Sequence, residues 1–129
     1  MTTLQAEQDA VRDFLAAGWT QGRTYDVGAV PANPVTPYRV VSVLPADPRG
    51  YRLSSVSGSR FVRVAVQHFG RNVDEVMFAS DKTEATLLDK RPMPGASRAR
   101  REVATPVTRD ADAEGLLQIT HTYTYTRSA

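Results

Sequence analysis

The chain has 129 residues, 41% hydrophobic and 23% charged, which suits one globular domain with its own core and excludes wholesale disorder. It contains no cysteine, so a disulfide framework, a thiol nucleophile and a zinc–thiolate site are all excluded. The formal net charge of +2 is mild beside the localised excess of a dedicated nucleic-acid binder.

The N-terminus is polar and acidic, without the basic start and apolar core of a signal peptide, and synthesis in the cytosol is expected. No apolar run approaches the roughly 20 residues that span a bilayer, so no membrane association is expected. Thr2 and Gln5 have capping-box spacing ahead of Leu4, Val11, Phe14 and Leu15, which recur at helical intervals up to Gly18. This pattern predicts an amphipathic helix over 3–17. Residues 25–30 form a short strand candidate. The 31–37 stretch, with Pro31, Asn33, Pro34 and Pro37, reads as a stiff extended connection. Val-rich 38–44 is a strand, closed by the turn cluster Pro45, Asp47, Pro48 and Gly50.

Residues 51–56 read as a further strand, weakened by the serines of 54–59, which suggest a mobile hairpin or arm. Over 60–69, Phe61, Arg63, Ala65 and Gln67 alternate with Val62, Val64, Val66 and His68. Bulk on both faces places this strand centrally in a sheet. After Gly70, Asn72 and Glu75 repeat the capping-box spacing, with Asp74 in the first turn, where the helix dipole favours it. A second helix is predicted over 73–88, with Val73, Val76, Met77, Ala79, Ala85, Leu87 and Leu88 as its apolar side. A basic Pro- and Gly-containing loop follows over 89–101, then a short strand at 102–108 interrupted by Pro106, then a polar connection at 109–115.

The last strand, 116–126, alternates strictly. Ile119, His121, Tyr123 and Tyr125 point one way, and Thr120, Thr122, Thr124 and Thr126 the other. One face can serve the core and the hydroxyl face a partner subunit. The expected fold is thus α/β (α+β), a single domain over 1–129. It has one mixed or antiparallel sheet of about four to six strands with two helices packed on it.

The acidic cluster Asp110, Asp112, Glu114 and Gly115 imitates the start of a calcium loop, but the twelfth position, which needs a bidentate Glu, is His121. The expected reading is a solvated turn. His68 and His121 lie in strands that could neighbour each other, though no third ligand is evident, so no metal or other cofactor is expected. Ser57-Gly58-Ser59 lacks the strand-to-helix context of a nucleophile elbow, and no phosphate-binding glycine motif occurs. These absences favour a protein that is not an enzyme. Lys90, Arg91, Arg98, Arg100 and Arg101 form the strongest charge signal. They suit DNA phosphate or an acidic partner, against the alternative of a flexible solvated loop. Trp19 reads as core cover over the first helix end, with an exposed interface anchor as the sharper alternative.

The order of these pieces carries a family resemblance. An N-terminal helix holds Val11, Arg12, Phe14 and Leu15. The Pro-rich entry Asn33-Pro34-Val35-Thr36-Pro37-Tyr38 leads into Val40-Val41. Residues Val62 to Gly70 run into a helix with Asp74, Glu75 and Ala79, and Arg109 to Gly115 precede the closing Thr/Tyr strand. In this order the chain resembles the tail terminator and tail-completion proteins of long-tailed bacteriophages.

The resemblance implies a catalytically inert virion protein at the head–tail junction. Six copies would form a homo-oligomeric ring that caps the tail tube protein and meets the head–tail connector protein, with DNA passing through. On this reading Lys90, Arg91, Arg98, Arg100 and Arg101 line the channel or face a partner. Thr120, Thr122, Thr124, Thr126 and Trp19 are candidate subunit-interface residues. Alternatives are a head–tail connector or head-closure protein, a small DNA-binding module using the 90–101 loop, and an unrecognised enzyme.

Overall fold

Apolar residues spaced by two or by three and four along the chain settle most elements. The computed structural model describes residues 4–44, 60–109 and 115–127. In chain order they form α1 (Leu4–Ala17), β1 (Thr24–Asp26), β2 (Tyr38–Leu44), β3 (Arg60–Gly70), α2 (Val73–Leu87), β4 (Arg100–Ala104), β5 (Thr108–Arg109) and β6 (Leu117–Arg127). The strands make one open sheet in the order β1-β2-β3-β6-β4, with β5 also paired to β6. β1 runs parallel to β2, and every other pairing is antiparallel. The sheet is therefore mixed, with two helices and six strands among the described residues, and the α+β expectation holds.

Register sorts the side chains. The pairs Val41–Val66, Val43–Val64, Val64–Tyr123 and Val62–Tyr125 all fall on one face. Both helices cover that face. Val11 and Leu15 of α1 and Leu87 of α2 join these strand residues in the main apolar core. Glu7, Val11 and Leu15 are spaced by four, so they share one line of α1, and all three are buried. Glu7 is the residue there that the apolar pattern did not announce. It meets the Tyr125 hydroxyl at 3.4 Å and Arg127 Nε at 3.5 Å at the far end of β6.

The second helix follows its cap signal. Asn72 Oδ1 accepts from the Glu75 amide at 2.9 Å, and Glu75 Oε1 accepts from the Arg71 amide at 2.8 Å. Its buried face departs from the apolar reading. Val76, Ala79, Ser80, Thr83 and Leu87 turn inward, while Val73, Met77 and Leu88 are exposed, as is Ala85. The physical reason lies in the sheet, where Arg39 and His68 are fully buried and need hydroxyl partners. Thr83 supplies one.

Two glycines let α1 and β3 approach α2 closely. A Cβ on Gly18 would stand 2.3 Å from Thr86 Oγ1, and one on Gly70 would stand 2.7 Å from Glu75 Cβ and 2.9 Å from the Val76 amide nitrogen.

Boundaries differ from expectation at two strands. The candidate at 25–30 is only Thr24–Asp26, because the chain turns at once, with the Ala29 amide donating to Asp26 O at 3.0 Å. The strand expected at 102–108 begins at Arg100, so Arg100 and Arg101 belong to β4 rather than to the loop before it. The strand expected at 51–56, the serine-rich 54–59 stretch, Thr2 of the first cap and Asp110 to Glu114 lie outside the described residues.

Candidate functional site

The face of the sheet away from both helices has a closed end and an open end. At the closed end, Tyr38 stacks on Phe69 with ring centroids 5.0 Å apart, and Val40 packs beside them. Tyr25, Val30 and Leu116 cover this small core. At the open end no helix among the described residues lies over the strands. Register places Gln67 beside Thr120, Ala65 beside Thr122, Arg63 beside Thr124 and Phe61 beside Thr126. The four threonines are half-buried, and Ile119, His121, Tyr123 and Tyr125 are buried on the helix side, as the alternation predicts.

β4 extends this open face. Arg100 pairs with Thr124 and Val103 with Thr122, with a bulge between Arg101 and Val103. Val103 is 49% exposed and Phe61 38% exposed. Arg63 pairs with Glu102 at 3.2 Å, and its Nε has no hydrogen-bond partner among the described residues.

The basic loop joins this surface. Asp89 takes a left-handed backbone conformation (φ 59°), which turns the chain back at the end of α2. The Asp89 amide donates to Ala99 O at 2.9 Å, and the Ala99 amide to Lys90 O at 2.8 Å. Further on, the Ser97 amide donates to Thr126 O and the Thr126 amide to Ser97 Oγ, both at 2.8 Å. Ala96 and Ala99 are buried in the main core. The backbone of the segment is thus laid along the end of β6, while Lys90, Arg91, Arg98, Arg100 and Arg101 all stay exposed to solvent.

The five cations part company. Arg98 and Arg100 line a cleft of about 480 Å³ together with Phe61, Asp89, Ser97, Thr124 and Thr126. Lys90 and Arg91 are exposed outside that lining, Arg91 donating to Ala96 O at 3.4 Å. Arg101, paired with Tyr123, turns to the helix side and donates to Glu84 Oε1 at 3.2 Å. The structure therefore brings half of the threonine row and two of the five cations to one place.

Trp19 stands elsewhere. It is 4% exposed, edge-on to Phe78 at 6.0 Å, and the Arg39 guanidinium lies 5.2 Å from its ring centre. This is the core-cover placement, not that of an exposed interface anchor.

Sequence reasoning missed a buried polar network between the helices and the sheet. Arg39 donates to Thr24 Oγ1 and Thr83 Oγ1, both at 2.9 Å, and to the Leu15 carbonyl. His68 and His121 do meet, with ring centroids 5.2 Å apart. His68, however, has Nδ1 3.1 Å from Ile119 O and Nε2 2.7 Å from Thr83 Oγ1, so both its nitrogens are held within the fold. Burial pushes the His68 pKa down to about 3, against a smaller upward pull from the Ile119 carbonyl. It also lowers Arg39 to about 10 and lowers His121, where Glu84 pulls the other way. The Tyr123 hydroxyl donates to Glu84 Oε1 at 2.6 Å, and burial raises its pKa. These shifted groups face one another across the helix–sheet seam, and their bonds hold α2 to β2, β3 and β6.

A second cleft, of about 650 Å³, lies where β1 stops and is lined by Gln5, Gln8, Asp26 and Ser42, among others. There the Gln8 amide stands in for a missing strand residue. Its Nε2 donates to Val41 O at 2.9 Å and its Oε1 accepts from the Val43 amide at 2.7 Å. Nothing in the helical spacing marks Gln8 for that task. The calcium-like cluster falls outside the described residues except for Gly115, and His121 is buried in β6.

No protein-family model and no curated protein matches the sequence. Among solved structures, the fold is similar to a chain from the virion of a native gene transfer agent particle. The TM-score is 0.68 at 19% identity, and the match covers 95% of this chain and 94% of that one. At that identity the likeness speaks for the fold, and it runs essentially end to end in both chains.

Proposed function

We propose that this protein is a structural virion component. Copies assemble into a ring, six in the phage-tail pattern its sequence resembles, which caps the tail tube at the head–tail junction with DNA passing through. The observation that carries this reading is the end-to-end fold likeness to a chain of a gene transfer agent virion. The open sheet end supports it. The exposed Phe61 and Val103 lie by register beside the half-buried Thr122, Thr124 and Thr126, a surface that a neighbouring protein would cover. Both ring nitrogens of His68 and the Tyr123 hydroxyl are bonded inside the fold, which is how a non-catalytic scaffold would hold them.

The ring surface would meet the tube protein on one side and the connector protein on the other. The exposed Lys90 and Arg91, outside the Arg98–Arg100 cleft, are the cations best placed for non-specific contact with passing phosphate. Light scattering on a sizing column, followed by incubation with tail tubes, tests the reading. The expected result is a discrete species near six times 14.2 kDa that decorates tube ends. A chain that stays monomeric at every concentration and leaves tube ends bare would sink it.

A further inference from the structure

Two surfaces on opposite sides of the sheet carry opposite charge. The first is the outer side of α2. Val76, Ala79, Ser80, Thr83 and Leu87 face the sheet, so Asp74, Phe78 and Asp81 point away from it, and all three are exposed. Phe78 is 50% exposed and Met77, on the flank, 42%. The second is the Arg98–Arg100 cleft, whose Phe61, Arg100, Thr124 and Thr126 belong by register to the face away from α1 and α2.

We propose that the outer side of α2 on one copy docks against the Arg98–Arg100 cleft of the next copy. The proposal rests on the ring reading above and names its contact. Charge decides the pairing. Cleft against cleft would bring four arginines together, and helix against helix would do the same with the aspartates, each a like-charge contact. Only helix against cleft joins Asp74 and Asp81 to Arg98 and Arg100. The minority charges agree as well. Asp89 in the cleft wall suits Lys82, whose ammonium lies 5.5 Å from the Phe78 ring centre.

Each surface also offers an exposed aromatic ring, Phe78 on the helix and Phe61 in the cleft, of the type that anchors protein contacts. Because the two surfaces differ and lie on opposite sides of the sheet, a docked copy still presents one of each. Such a head-to-tail contact propagates until it closes.

The test uses the full chain and two charge-reversed variants, Asp74→Lys/Asp81→Lys and Arg98→Glu/Arg100→Glu. All four positions are exposed, and a thermal melt of each variant confirms folding. Wild type is expected to assemble, and each variant alone to fall to 14.2 kDa by light scattering. Mixed one to one, the variants regain opposite charge at every contact of an alternating ring, so the assembled mass returns. The four-fold variant, with both surfaces reversed in one chain, also assembles.

Variants that assemble as well as wild type overturn the pairing and leave the ring reading standing. Variants that fail alone and do not rescue each other overturn it too, because the two surfaces then do not meet. A wild-type chain that never assembles overturns both. Loss of DNA binding in the arginine variant, with assembly unchanged in both, assigns the cleft to phosphate instead.

Discussion

On the helix-covered face of the sheet, Val41, Val43, Val62, Val64, Val66, Tyr123 and Tyr125 interlock with Val11, Leu15 and Leu87. One residue further along the same strands, the other face carries Arg63, Ala65, Gln67 and four threonines, and no helix among the described residues lies above its open end. The first face is specified by packing, since a buried side chain there touches neighbours on every side. The second is specified by what it leaves available. Threonine suits such a face. Its branched carbon favours the strand, and its hydroxyl keeps the surface compatible with water.

Substitutions on the two faces sharpen that contrast. Leu15→Ala, in the middle of the covered core, should cost about 2–5 kcal/mol in urea unfolding through lost burial and the cavity left behind. A value below about 1 kcal/mol would mean that α1 does not pack on the sheet as described.

Acid should attack the covered face first. The unfolded chain holds His68 near its ordinary value of 6.5, while burial lowers it to about 3 in the fold, so the unfolded state binds the proton first. Stability is full above about pH 6.5 and falls as pH drops toward 3, at up to about 1.4 kcal/mol per pH unit from this group. The lowered His121 acts in the same direction. His68→Gln should flatten the slope measured by urea unfolding across that window. An unchanged slope would remove His68 as the acid-sensitive group.

The junction between β3 and α2 comes next. Gly70→Ala forces a Cβ into the Val76 amide and should cost about 1–3 kcal/mol as the first turn of α2 shifts. Asn72→Ala, which removes the cap on the Glu75 amide, should cost about 1 kcal/mol by the same measurement. Equal melting of Gly70→Ala and wild type would show that the helix end can yield.

The open face should give the smallest change. Thr122→Val keeps the shape and strand preference and removes only a half-exposed hydroxyl, so stability should move by no more than about 0.5 kcal/mol. A cost above about 1.5 kcal/mol would mean that the threonine row is packed within the chain and does not wait for a partner.

The sequence alone was enough for elements whose cause is local. The strict alternation after Ile119 fixed both faces of β6, Asn72 and Glu75 marked the start of α2, and the valines of 38–44 and 60–69 marked β2 and β3. Hydrogen-bond direction, steric branching and period are properties of neighbouring residues, so they can be read along the chain. Tertiary structure alone decided which face of α2 turned inward, because Thr83 is drawn to Arg39 and His68, 44 and 15 residues away. It also decided that Glu7 is buried, that Gln8 completes the edge of β2, and that Arg98 and Arg100 meet Thr124 and Thr126 while Arg101 turns to Glu84. Those outcomes depend on which strands lie side by side. A polar group taken out of water must find its partner wherever the topology puts one.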